Sequence, residues 1–338
     1  MRQPTDLHIA RTIEAGSSQP RTMTDSIPIL FTAQHPERRL DREASRGSLQ
    51  RLKQGAYCDA ETWAQLSADA RHLLQVRAFA RSHPTTVFAR ESAALLLGLP
   101  LIAPPPDRVQ AAAPRATGGR SEPGLQRWCR ALADDEVIVI DGVHCTDLAR
   151  TVADLALSRS FREAVPAADR ALALGADLSR SADRMRGMRG LGRVARVVVF
   201  ADGRSESPGE SGSRATIHDA GFPAPDLQVV VRTEDGEDRL DFGWRRYRAF
   251  GEFDGRAKYE RAEYTRGRSA AEIVWAEKVR EDRIRAATGF QVIRWTWSDF
   301  QAVGPLVRRL EAAGIPRSDH RAGGAGVSAS RGRSAGRR

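Results

Sequence analysis

The chain has 338 residues, 41% of them hydrophobic and 28% charged, enough for two or three small domains with buried cores. Its formal net charge of +10 admits nucleic acid as a partner, although residues 318–338 hold five Arg against one Asp and supply +4 of that total. No apolar run nears the ~18–20 residues that span a bilayer, the N-terminus lacks a signal-peptide h-region, and Cys58, Cys129 and Cys145 form neither a disulfide framework nor a zinc pattern. The chain is read as neither membrane-bound nor secreted, no zinc site is supported, and a reducing cytoplasm is the expectation.

Only Lys53, Lys258 and Lys278 are lysines among 53 basic residues, and Asn is absent. This is the imprint of a GC-rich genome, so Arg abundance points only weakly to DNA. Residues 1–22 are polar and irregular; they read as disordered, or as preceding a true start at Met23, which stands just before the first apolar pattern. From 24 to 60 a short helical pattern ends at Gly47, and RGSLQRLKQGAY at 46–57 reads as two strands around Gln54-Gly55, a small basic hairpin. Residues 61–102 read as helical, with the patch ARESAALLLGLPL at 89–101 closed by Gly98 and Pro100. Residues 103–124, rich in Pro, Gly, Ala and Arg, read as a mobile or strand-poor linker inside a mixed middle region, 61–200. EVIVIDGVHC at 136–145 reads as a strand pair turning at Asp141-Gly142, and TDLARTVADLAL at 146–157 as an amphipathic helix capped by Thr146.

In the C-terminal third, 203–312, GRSESPGESGSR places Ser207, Pro208 and Glu210 as N-cap, N1 and N3 of a capping box. DLQVVVRT at 226–233, an EDG turn, DRLDFGW at 238–244 and YRAFGEFDG at 247–255 then supply three strands, followed by a long helix, a break at Gly289, a strand alternating Val292 and Arg294 with Ile293 and Trp295, and a last helix through 310. The order is αβββαβα. The tail 318–338 reads as disordered and basic.

Two residues apart on a strand, Glu252 and Asp254 share a face, while Asp241 faces away from Leu240 and Phe242. If their strands pair, three carboxylates converge. Such a cluster repels itself unless a cation sits within it, and Mg²⁺ is held by one or two carboxylates with waters and phosphate oxygens. The pattern points to phosphodiester chemistry. Plainer readings stand beside it: Glu210 as a cap partner only, Asp241 and Glu252 as relics of a fold without activity, Lys278, Arg280 and Arg283 as a solvated helix face or phosphate contacts, and Trp244, Trp295 and Trp297 as packing.

The order αβββαβα, with Asp241 in the second strand, Glu252-Phe253-Asp254-Gly255 in the third, and EKVREDRIRAATGFQVIRW after them, resembles the restriction-endonuclease-like superfamily in its very-short-patch-repair branch. The resemblance covers about 203–310. It implies that Asp241, Glu252 and Asp254 hold Mg²⁺, or Mn²⁺ in its place, that Glu210 reaches the same centre, and that the metal activates water. The superfamily usually has Lys where Asp254 stands, and the resemblance leaves Lys258, four residues on, to take that part if the turn after Gly255 folds it back.

The front two-thirds resembles AbiEi-like type IV antitoxins through RGSLQRLKQGAY, ARESAALLLGLPL and DGVHCTDLARTVADLAL, with Thr146, Arg150, Thr151 and Asp154. That resemblance implies a winged-helix-like module at 24–60 whose hairpin residues Arg46, Arg51 and Lys53 touch DNA phosphates, and a cognate toxin as a partner. Together the two imply an α/β chain of winged-helix-like, mixed and endonuclease-like parts: a toxin–antitoxin or defence protein with a Mg²⁺-dependent domain hydrolysing DNA. The alternative is a non-catalytic DNA-binding antitoxin or repressor with an inactive endonuclease fold.

Overall fold

The computed structural model describes residues 11–12, 26–113, 121–129, 131–187, 189–255 and 270–317; the tail 318–338, the segment containing Lys258 and most of residues 1–22 lie outside them. Helices and strands mix along the described chain, the α/β class expected. Arg11–Thr12 form a short strand, β1, so at least this part of 1–22 does enter the fold.

The front module contains β2 (Leu30–Phe31), α1 (Leu40–Ser45), β3 (Leu49–Lys53) and β4 (Ala56–Asp59). The two-residue Gln54-Gly55 connection closes the expected hairpin, with Gly55 at φ +74°, where a side chain is disfavoured. β2 adds to the free edge of β4, giving the order β2-β4-β3. Leu40 of α1 packs on Leu49 and Tyr57, while Leu52 and Cys58 turn to the opposite face. There they meet Leu74 and Ala78 of α3 (Ala68–Ser82), which follows α2 (Ala60–Gln65). Asp59 and Ser67 start these helices by accepting the Thr62 and Ala70 N–H groups.

The middle region holds α4 (Arg90–Leu96), β5 (Val109–Ala113), β6 (Leu125–Cys129), β7 (Val137–Ile140), β8 (Val143–Thr146), α5 (Leu148–Ser158), α6 (Phe161–Ala173), α7 (Ser179–Arg184) and α8 (Leu191–Phe200). The expected linker is corrected here: β5 runs through it, buried and parallel to β6. Its alanines are poor strand formers, but their small side chains suit a strand enclosed by helices. Phe88 bridges Ala111 on one side and Cys145 on the other, stitching β5 to β8. The Asp141-Gly142 turn is as expected, both residues at positive φ, and β1 pairs in parallel with β7. The cap of α5 is also corrected. Asp147, not Thr146, accepts the Arg150 N–H at 2.7 Å, while Thr146 is buried against the Thr151 hydroxyl.

The C-terminal unit is α9 (Pro208–Asp219), β9 (Asp226–Thr233), β10 (Gly236–Trp244), β11 (Ala249–Asp254), α10 (Ala270–Thr288), β12 (Gln291–Thr296), α11 (Trp297–Ala302) and α12 (Gly304–Ala312). The sheet order is β12-β11-β10-β9, antiparallel except for the parallel β11–β12 pair. One face carries Phe242, Trp244, Phe253 and Trp295 against Ile217, Phe300, Leu306 and Leu310. The other carries Val229, Val231, Leu240 and Phe250 against Ile284 of α10. Trp244 and Trp295, with Trp297 packed against the same cluster, are therefore packing residues. α9 lies close on the sheet because Gly209 and Gly212 face rings: a Cβ on Gly209 would stand 2.0 Å from Phe253, and one on Gly212 2.8 Å from Phe300.

Asp169 of α6 joins the two halves. Its carboxylate accepts both oxygens' worth of contact from Arg214 of α9, at 2.8 and 2.9 Å, and also the Asp202 N–H.

Gly209→Ala would gain up to about 1 kcal/mol of helix propensity, but its methyl has no room beside Phe253. We expect a net loss of about 1–3 kcal/mol, read as a lower urea midpoint at unchanged slope. His72 of α3 is buried with Nε2 2.8 Å from Ser92 Oγ, which itself accepts the Gln110 N–H. Burial holds its pKa down to about 4, against a weaker opposing pull from the Pro106 carbonyl. In the unfolded chain the ring protonates near 6.5, so its contribution is complete above that pH and is lost as the pH falls towards 4, by about 3 kcal/mol. Stability measured from pH 7 to 4 should fall less steeply in His72→Gln than in the parent.

Candidate metal centre and nucleic-acid interface

β10 and β11 place Asp241 and Glu252 on neighbouring central strands, each one residue beyond the Phe242–Gly251 pair. Asp254 ends β11 opposite Thr296. All three are partly buried. Asp241 Oδ2 accepts the Phe253 N–H at 2.8 Å, so this carboxylate helps close the sheet where the ladder ends.

Glu252 stands between two guanidinium groups. Its Oε1 is 2.8 Å from Arg280 Nη2, and its Oε2 is 3.2 Å from Arg294 Nε. Arg294 is its register partner on β12; Arg280 reaches down from α10. Arg280 also meets Glu277 at 2.8 Å and Asp238 at 3.3 Å and donates to the Arg239 carbonyl at 3.0 Å. Arg283 holds Asp238 at 2.8 Å, and Arg294 meets Glu277 at 2.5 Å and Glu281 at 3.6 Å. Burial alone would lower the Arg280 pKa, but the bonds and charges of Glu252 and Glu277 outweigh it and raise it.

The expected helix face is thus divided. Arg280 and Arg283 turn inward to carboxylates, while Lys278 is exposed with Nζ 5.9 Å from the Trp275 ring. Glu210 caps and ties: its own N–H goes to Ser207 Oγ, and its Oε2 accepts the Glu206 N–H at 3.0 Å and the Gln228 amide of β9 at 2.8 Å. Lys258 lies outside the described residues.

The donor set does not fit Mg²⁺ as it stands. A hard cation needs carboxylate oxygens open to it, yet both Glu252 oxygens face guanidinium groups, and among the described residues no three His, Cys, Asp or Glu side chains come together as a metal site. Sequence reasoning missed Asp238, Glu277 and Arg294 as partners. The helical spacing of Glu277, Arg280, Arg283 and Ile284 was their one signal, since Ile284 is buried and marks the inner face.

In the front module Arg39, Arg42, Arg46 and Arg51 are exposed, and none is in an ion pair with a described residue. The two acids of α1 are already engaged, Asp41 by the Tyr57 hydroxyl and Glu43 by Arg38. Lys53 is set apart. A register shift between Arg51 and Lys53 carries it to α3, where Nζ donates to Ser82 Oγ at 3.0 Å and lies 5.4 Å from the Phe79 ring.

No protein-family model matches the chain. It is similar to two proteins of Mycobacterium tuberculosis, Uncharacterized protein MT2308 of strain CDC 1551 / Oshkosh and Uncharacterized protein Rv2248 of strain ATCC 25618 / H37Rv, each 35% identical over 79 residues. Those residues are 23% of this chain and 29% of each relative, so the match spans less than a third of the curated relatives' length. The crystal structure of RV2827C protein from Mycobacterium tuberculosis is similar over 52% of this chain and 73% of its own, at 12% identity and a TM-score of 0.35.

Proposed function

We propose that this chain is a cytoplasmic, DNA-associated protein of the toxin–antitoxin or defence type, in which the front module meets the DNA backbone and the C-terminal unit keeps an endonuclease-like fold without its chemistry. It would act as a non-catalytic antitoxin or transcriptional repressor. The observation that carries this is the set of exposed guanidinium groups on α1, its two ends and the adjoining strand β3, free of ion pairs with described residues. Guanidinium groups so placed suit phosphate oxygens, which position a protein on a duplex without reading its sequence. A cognate toxin as partner rests on the resemblance of the front two-thirds to AbiEi-like antitoxins.

A second reading, a Mg²⁺- or Mn²⁺-dependent endonuclease hydrolysing DNA, is favoured by the placement of Asp241 and Glu252 on neighbouring central strands. It requires Glu252 to leave its arginines.

Under the first reading, Arg46→Ala with Arg51→Ala lowers affinity for duplex DNA and flattens the plot of log affinity against log salt by about two units. Lys53→Ala, whose amine is held by α3, leaves the slope unchanged, and chelating divalent ions does not weaken binding. An unaltered slope in the double arginine variant would rule out the hairpin as the DNA contact.

A further inference from the structure

We infer that Glu252 is the central anchor of an ion-pair network that fixes α10 to the sheet, a positioning residue and not a metal ligand. α10 brings one described residue, Ile284, into the apolar cluster beneath it, and its exposed residues include Trp275 and Val279. Ile284 lies towards the C-terminal end of this 19-residue helix. Among the described residues its middle is tied to the sheet by charge, and the contacts reach three strands: Arg280 to Glu252 on β11, Arg280 and Arg283 to Asp238 on β10, and Glu277 and Glu281 to Arg294 on β12.

Glu252 has a special place in this set because it reaches Arg280 and Arg294 with separate oxygens from the sheet itself, whereas Glu277 meets both through one oxygen from α10. With side-chain exposures of 15% for Glu252 and 23% for Arg280, the pair is shielded enough for its loss to matter. If Glu252 moved to a cation, Arg280 and Arg294 would keep only Glu277 Oε1 in common. Arg283 does not share this role, since its partners are Asp238 and Asp235.

The inference deepens the non-catalytic reading of the C-terminal unit. Its test reads stability and metal occupancy, not DNA binding, so the two stand or fall separately. On the full chain, thermal unfolding of Glu252→Gln, Arg280→Met and the double variant forms a double-mutant cycle, and Mn²⁺ alone, followed by electron paramagnetic resonance, reports metal binding. Glu252→Gln should lower Tm by on the order of 5 °C. The double variant should lose clearly less than the sum of the single losses, because the charge that each single change strands in the Glu252–Arg280 pair is then removed as well. Mn²⁺ binding should be the same in the parent and in Glu252→Gln. If Glu252→Gln is too unstable to purify, adding it to Arg280→Met with Arg294→Met still decides: a triple variant as stable as that arginine double variant supports the anchor, and a clearly less stable one overturns it. Additive losses, or a tenfold or greater loss of Mn²⁺ affinity in Glu252→Gln, would also overturn it.

Discussion

Asp169 is where the two halves of this molecule meet. It is 1% exposed, and Arg214, at 9%, closes on it with two bonds from a different helix, α9, whose other face lies on the C-terminal sheet. The same guanidinium donates to the Phe200 carbonyl at the end of α8, and the same carboxylate takes the Asp202 N–H in the connection between α8 and α9. A buried pair of this kind adds little net stability over an apolar contact, but losing either partner is costly, because the other charge remains in a dry setting. It therefore acts chiefly on geometry. With α6 and α9 held in register, the N-terminus of α9 and the sheet beneath it have one position relative to the front two-thirds of the chain.

Arginine plays the same part at other points. Arg150 lies between Glu136 and Asp154 at the start of α5, and Arg159 reaches Glu91 across from α4. In the C-terminal unit the same pairing covers Glu252 and Asp238. A chain whose basic residues are almost all arginine has planar, multi-donor cations with which to bind carboxylates from several elements at once. Inside, these groups organise the fold; on the front module, where the acids of α1 are engaged elsewhere, they are left facing solvent. The proposed DNA contact at the front rests on these exposed groups.

Much of the fold was legible because local signals agreed with one another. Ser207, Pro208 and Glu210 marked the start of α9, Asp141-Gly142 the β7–β8 turn, and Gly47 the end of α1. Three things were hidden for definite reasons. β5 is built of alanines that favour no strand in isolation and is specified by the helices around it. The direction of Arg280 and Arg283 depended on which side of α10 faced the sheet, and a helix with Trp275 and Val279 outside and Ile284 inside carries no single apolar stripe to say so. Lys53 parted from Arg51 through a register shift that no pattern of residues announced. Asp241 and Glu252 were correctly placed on neighbouring strands. What surrounds Glu252 was not legible, because Arg280 and Arg294 come from a helix and a strand well downstream.

The most direct test of this account is incubation of the purified full chain with supercoiled plasmid and Mg²⁺ or Mn²⁺, alongside Asp241→Ala at matched folding. The account predicts that plasmid is bound and retarded but neither nicked nor linearised above the level of the variant. Metal-dependent nicking by the parent that disappears in Asp241→Ala would contradict it and make the C-terminal unit a working nuclease.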